Sequence, residues 1–215
     1  PIVTLGGMTG TGKTAILQAL AAAGEQILDL EKWANHRGSS YGNLGLPPQP
    51  SIEHFENLLA MAWVALETDR RVWIEAESRM VGTCRVPDEL FHQMMQAPIL
   101  QVERPRQERI QLLLKDYGTA DRAELLEATA RLKKRLGGDR TQTALEFIQA
   151  GNLAAAIEIV LDYYDKTYCY DLKRRQVPTT SVDGAGSSVA EIASRLMQAA
   201  DRCTASRQPV ELAHG

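Results

Sequence analysis

The sequence is short of cysteine, of aromatic residues and of long apolar runs. Its three cysteines, Cys84, Cys169 and Cys203, are far apart, odd in number and never spaced as CxxC. That excludes a disulfide frame and a cysteine zinc site, and it points to a reducing cytoplasm. Cys84 is followed by Arg85, but no cysteine stands in a cationic setting that would activate it. No apolar run approaches the ~20 residues of a membrane helix, and no cationic start leads into a short apolar core, so neither membrane nor secretion is expected. Aromatics make up 6% of the chain, and Trp33, Trp63 and Trp73 read as packing residues rather than base-stacking platforms. Neither sign of charge dominates: 24 Lys+Arg face 27 Asp+Glu, a net −3 that does not advertise a nucleic-acid binder. An initiator Met is also lacking. Pro1 opens directly into a strand pattern, which predicts a piece of something longer.

What is present is ordinary globular stock. In 215 residues, 44% are hydrophobic, enough for one sizeable core and too few for two average domains. One α/β domain is expected over 1–203, with 105–175 as a helical insert or lid and 204–215 as a flexible tail. Charge is distributed unevenly: 1–103 carries −5, 104–140 carries +4 and 141–215 carries −2. The middle segment can therefore present a positive face.

Strands and helices alternate. Strand patterns occur at 2–5, 26–30, 71–75, 98–102 and 176–182, and helical patterns at 14–23, from 51 onward, through 105–175 and from 188 to about 200. Ser51 reads as an N-cap, and 36–50, dense in Gly, Ser and Pro, reads as a loop. Strands separated by helices predict a mostly parallel sheet covered on both faces, as in P-loop NTPases.

One motif carries chemistry. Gly7-Met8-Thr9-Gly10-Thr11-Gly12-Lys13-Thr14 satisfies G-x-x-x-x-G-K-[ST] in full, after a β-branched strand and before a helix. The glycines let backbone N–H groups turn inward onto phosphate oxygens, and the helix start adds its positive dipole end. Lys13 is placed for the outer phosphates and the Thr14 hydroxyl for Mg²⁺. Gly7, Gly10, Thr11, Gly12, Lys13 and Thr14 are thus the phosphate-binding candidates, for a nucleotide or another phosphate-bearing ligand. A further acid at a neighbouring strand end should support the metal, and two pairs compete: Asp29 with Glu31, and Glu75 with Glu77. Asp29 joins Thr14 as metal candidate, while Lys13, Glu75, Glu77 and Arg79 are the catalytic candidates. His36, Arg37, Ser39 and Ser40 form a possible anion-binding turn. Arg104, Arg106 and Arg109, where the insert begins, suit phosphate oxygens.

The order GGMTGTGKT, DLEKWANHRGSSYG, FENLL, VWIEAESRMVG and LDYYDKTYCY closely resembles the P-loop domain of tRNA 2-selenouridine synthases over roughly 2–175. HRGSSYG and EAESRMVG are far more specific than the P-loop alone. Tyr41 stands where the family commonly has Phe, and Ala76 where an acid is common, leaving Glu75 and Glu77 as the acids available. The resemblance implies a transferase acting on the wobble uridine of tRNA. A 2-thiouridine is S-geranylated with geranyl diphosphate, and the geranylthio group is then replaced by selenium from selenophosphate. It also implies a rhodanese domain, supplied in cis or in trans. On this reading the P-loop and Mg²⁺ grip the diphosphate, and Arg131, Lys133, Lys134 and Arg135 contact tRNA phosphates. Two other readings fit the bare architecture: a small-molecule or nucleotide kinase, and a nucleotide-gated adaptor that delivers tRNA without turnover.

Overall fold

The computed structural model describes residues 1–205. Strand β1 (Ile2–Gly7) runs into the P-loop and helix α1 (Lys13–Ala22); β2 (Gln26–Leu28) follows, then the short α2 (Leu30–Ala34) and α3 (Ile52–Val64). Next come β3 (Val72–Glu75), a small hairpin of β4 (Met80–Val81) and β5 (Cys84–Arg85), helix α4 (Asp88–Gln96) and β6 (Ile99–Glu103). Five helices follow: α5 (Arg106–Tyr117), α6 (Arg122–Ala130), α7 (Lys133–Leu136), α8 (Gly138–Gln149) and α9 (Leu153–Arg174). The chain then returns through β7 (Thr179–Asp183) and α10 (Val189–Ala205).

The main sheet has the order β2-β3-β1-β6-β7 and is parallel throughout. Parallel strands covered on both faces must be apolar on both, and these are. Leu5, Trp73, Leu100 and Val182 pack with Leu17, Leu20 and Leu196 of α1 and α10 on one side. Leu28, Val72 and Ile74 pack with Phe55, Leu59 and Met94 of α3 and α4 on the other. The alternation of Trp73 and Ile74 between these cores is the two-residue strand period. With β1 central, the P-loop lies at the C-terminal edge between β3 and β6, where open α/β sheets bind ligands.

The strand 26–30 expected from the sequence stops at Leu28, because Asp29 caps a new helix by accepting from Lys32 N–H at 2.9 Å. Ser51 caps α3 as expected, accepting from His54 N–H. The fifth strand starts at Thr179, after Pro178, rather than at 176. Helix α10 runs to Ala205, past its expected end near 200, and the expected tail falls largely at 206–215, outside the described residues. The β4–β5 hairpin and helices α2 and α4 are additions; each is too short to give a clear period.

Between β6 and β7 the chain is helical, with its own core of Ile110, Leu113, Tyr117, Leu125, Ile148 and Leu161. Leu44 from the 36–50 loop inserts into this core, which ties that loop to the helices.

Candidate phosphate and metal site

The P-loop is shaped by its glycines and braced from α5. Gly10 and Gly12 adopt φ of 83° and 79°, the left-handed region that favours glycine. Thr11 turns its hydroxyl inward to donate to Met8 O at 2.8 Å, so it holds the loop rather than facing a ligand. Arg109 Nη1 donates to Thr9 O at 3.0 Å, and a Cβ on Gly10 would stand 2.9 Å from Arg109 O. The loop is therefore clamped to the first helix of the helical segment.

Lys13 reaches back to donate to Gly7 O at 3.2 Å. Burial opposes its charge, but the carboxylates of Glu75, Glu77 and Glu31 outweigh that and hold its pKa above the ordinary lysine value. Thr14 donates its hydroxyl to Glu31 Oε2 at 3.0 Å.

Three acids converge beside these residues. One carboxylate oxygen from each of Glu31, Glu75 and Glu77 lies within 4.8 Å of the others. Both oxygens of Glu75 are buried without a hydrogen-bond partner among the described residues. Burial, then the repulsion of Glu31, push the Glu75 pKa well above the usual carboxylate range. Burial and the nearby Glu77 likewise raise Glu31 to about 7. Three oxygen ligands, one of them unsatisfied, next to a P-loop threonine fit a hard divalent cation such as Mg²⁺.

Both acid pairs read from the sequence contribute, but not Asp29. Its carboxylate is taken up by the Lys32 N–H and by Gln18 Nε2 at 2.7 Å, and Glu31, two residues on, stands with Thr14 instead. Glu75 and Glu77 do meet, though not as neighbours on one strand. β3 ends at Glu75, and a turn with Glu77 N donating to Glu75 O at 2.7 Å brings Glu77 round.

Gly38 joins the 36–50 loop to these acids: at φ +65°, a Cβ there would stand 2.7 Å from Glu77 Oε2 and 3.0 Å from Glu31 Oε1. Its neighbours are already engaged. His36 is buried and its Nδ1 accepts from Gly38 N–H at 3.1 Å, while burial lowers its pKa. Arg37 donates to Leu44 O at 2.8 Å and lies over the Tyr117 ring. Ser39 Oγ accepts from Tyr41 N–H, and Ser40 N–H donates to Tyr164 Oη. These contacts, some within the loop and some to Tyr117 of α5 and Tyr164 of α9, fix the turn expected to bind an anion and position Gly38.

The arginines after β6 are also committed. Arg109, 4% exposed, makes a two-pronged pair with Asp165 at 2.8 and 2.7 Å. Arg106 pairs with Asp162 and Asp165. Arg104 joins Glu108 to Ser187 O. These pairs hold helices together, while Arg104 Nε and Arg109 Nε are buried without a partner among the described residues. Arg79 pairs with Asp88 and lies over Phe91. Arg131 pairs with Glu127 and donates to Ser40 O, whereas Lys133, Lys134 and Arg135 are exposed on α7. Arg131 and Arg135 border a polar cleft of about 890 Å³ that runs past His36 and Gly38. Sequence reasoning passed over Arg175, whose Nη2 donates to Glu77 O at 3.3 Å and which falls in no motif, and Tyr168, which lies over Gly6 and stands within LDYYDKTYCY without having been singled out.

The parallel sheet with β1 central, the G-x-x-x-x-G-K-[ST] loop and the acids beside it define a P-loop α/β protein built to hold phosphate groups. Within that class, residues 1–200 match the model of the tRNA 2-selenouridine synthase AAA domain, and the chain belongs to this family. It is 37% identical over 203 residues to the tRNA 2-selenouridine synthase of Marinobacter nauticus, covering 80% of this chain and 54% of that protein. It is 33% identical over 218 residues to that of Pseudomonas putida GB-1, covering 87% and 57%. The chain thus spans little more than half the length of the curated relatives it matches. Solved structures similar to it include a gluconokinase from Sinorhizobium meliloti (14% identity, TM-score 0.39, 96% of this chain and 97% of that one). Another is TT1252 from Thermus thermophilus (14%, TM-score 0.45, with the same coverage). Among the described residues, no helix is long and apolar enough to cross a membrane.

Proposed function

We propose that this chain is the P-loop part of a cytoplasmic transferase that modifies the wobble uridine of tRNA, with geranyl diphosphate bound at the P-loop. The observation that carries the reading is Lys13 placed within the field of three convergent glutamates, one of them buried and unpartnered among the described residues, in a chain of this family. Such a site grips a diphosphate whether or not any nucleotide is hydrolysed.

The backbone N–H groups of Gly10, Gly12 and Lys13 and the Lys13 ammonium bind the diphosphate and hold its carbon chain in place for attack. Thr14, Glu31, Glu75 and Glu77 are the residues that would hold Mg²⁺, which supplies charge neutralisation of the leaving diphosphate. The thiocarbonyl sulfur of 2-thiouridine bonds to C1 of the geranyl group. The C1–O bond breaks, its electron pair leaves with the diphosphate, and the base loses its N3 proton. Donors already aimed at the departing oxygens lower the barrier. Replacement of the geranylthio group by selenium from selenophosphate completes the sequence and draws on a rhodanese domain in cis or in trans. Arg131 and Arg135 meet tRNA phosphates along the cleft beside Gly38, and Lys133 and Lys134 extend that contact on the exposed part of α7.

The test mixes the purified chain with 2-thiouridine tRNA, geranyl diphosphate and Mg²⁺, and follows the nucleoside by mass. A geranyl adduct that is lost in Lys13→Ala, with tRNA binding intact, is expected. No adduct, together with phosphorylation of a small substrate by ATP, would replace this reading with that of a kinase.

A further inference from the structure

We infer that the cleft between α4 and the C-terminal end of α9 holds the hydrocarbon chain of the diphosphate donor, with Arg175 and Arg79 at its rim; this rests on the diphosphate reading above. The cleft measures about 390 Å³ and is bordered by Phe91, Met95, Ile99 and Leu172 on the apolar side and by Arg79, Arg174 and Arg175, with Asp171 among them, on a side that is cationic on balance. An apolar floor with guanidinium groups at one edge suits an amphiphile with an anionic head, not a sugar or a free nucleobase.

Two contacts place the cleft next to the phosphate site. Tyr168 forms part of its wall, and its hydroxyl would stand 3.0 Å from a Cβ on Gly6, at the mouth of the P-loop. Ala76, also in the wall, lies between Glu75 and Glu77, and Arg175 donates to Glu77 O at 3.3 Å. A diphosphate at Lys13 therefore has an apolar recess one residue away from its metal-binding acids. The rim also has donors to spare. Arg79 pairs with Asp88 and Arg175 feels Asp171, yet Arg79 Nε and Arg175 Nη1 are buried without acceptors among the described residues, a cost that an anionic group at the cleft edge offsets.

The competing space is too small. A narrow apolar gap beside Thr9, lined by Leu113, Ile148 and Leu161, offers about 50 Å³. An apolar cavity of about 150 Å³ is what accommodates benzene, so a ten-carbon chain does not fit there without opening the helical core.

Calorimetry on the 215-residue chain with Mg²⁺ tests the assignment, using pyrophosphate, dimethylallyl diphosphate, geranyl diphosphate and ATP. Affinity is expected to rise along the first three, with geranyl diphosphate at least tenfold tighter than pyrophosphate. Met95→Trp, which fills the cleft, and Leu172→Glu, which charges it, should each remove most of that gain and leave pyrophosphate binding unchanged. A photoreactive geranyl diphosphate analogue should label peptides spanning 91–99 or 168–175, a readout that needs no variant. Geranyl diphosphate binding no tighter than pyrophosphate, or labelling confined to α5 and α8, would overturn the chain pocket while leaving the diphosphate site standing. ATP binding that weakens in both variants would overturn it in favour of a nucleotide base. Binding of neither pyrophosphate nor geranyl diphosphate would bring down the diphosphate reading itself, and the chain pocket with it.

Discussion

Two charged groups flank the P-loop, and they differ in how completely the chain has matched them. The arginines after β6 have their counterions built in: Asp165 for Arg109, Asp162 and Asp165 for Arg106, Glu108 for Arg104. The acids around β3 have none of comparable quality: Glu75 is buried with both oxygens unmatched, and Glu31 and Glu77 crowd it. Sequence reasoning assigned both groups to phosphate chemistry, because arginine and glutamate types alone do not show who their partners are. A matched arginine fixes the helical segment onto the P-loop. An unmatched buried carboxylate costs the apo fold stability, and it is the kind of group that a bound cation completes.

Substitutions on the two sides should separate these roles. The largest effect belongs to Lys13→Ala. Geranyl transfer is expected to fall by about 10²-fold or more, the scale of losing one preorganised charge-stabilising donor, while the thermal midpoint stays within a few degrees. Retention of full activity would break the comparison at its centre. Arg109→Met should do the opposite. Leaving Asp165 and Thr9 O without their main partner destabilises the fold by about 3 kcal/mol, measurable in urea, and activity should track the folded fraction. A simple loss of phosphate affinity at unchanged stability would instead return Arg109 to the ligand site.

Much of this was legible in the sequence. The glycine-and-lysine loop, the β-branched strand before it and the Ser51 cap are local signals, and each has a local cause. The strand order β2-β3-β1-β6-β7 is not local, since it depends on which helices cover which face. Glu31 was named in its pair but ranked behind Asp29 for a related reason. Asp29 is the more typical end-of-strand acid, and its use as a cap on α2 leaves Glu31, two residues along, as the acid beside Thr14. Reading Asp29 as an N-cap, with a helix starting at Leu30, is the signal that would have reversed that order. The turn at 36–40 is harder to read, because His, Arg and Ser look like anion ligands and the sequence does not show the contacts they make within the loop and to Tyr117 and Tyr164.

Gly38→Ala probes the joint between that turn and the acids, with a smaller expected effect. An alanine at φ +65° costs roughly 1–2 kcal/mol, and its methyl group would press on Glu77 and Glu31. Stability should fall by about that amount, and the Mg²⁺ concentration needed for half-maximal binding of pyrophosphate should rise. An unchanged Mg²⁺ requirement would mean that the turn does not set the position of the acids.

The smallest effect should come from His36, and it has a definite sign. Burial lowers its folded pKa below the ordinary 6.5, and its Nδ1 must stay unprotonated to accept from Gly38 N–H. The unfolded chain therefore binds a proton that the fold refuses. The contribution of His36 is fully present above about pH 6.5 and is lost as the pH falls below it. Urea midpoints measured from pH 7.5 down to 5.5 should decline by the equivalent of about 1 kcal/mol. His36→Asn, whose side-chain oxygen can still accept from the turn, should flatten that decline. A wild-type profile that is flat over this range would mean that the turn tolerates an imidazolium, and that the hydrogen bond to Gly38 is not what holds the loop against the acids.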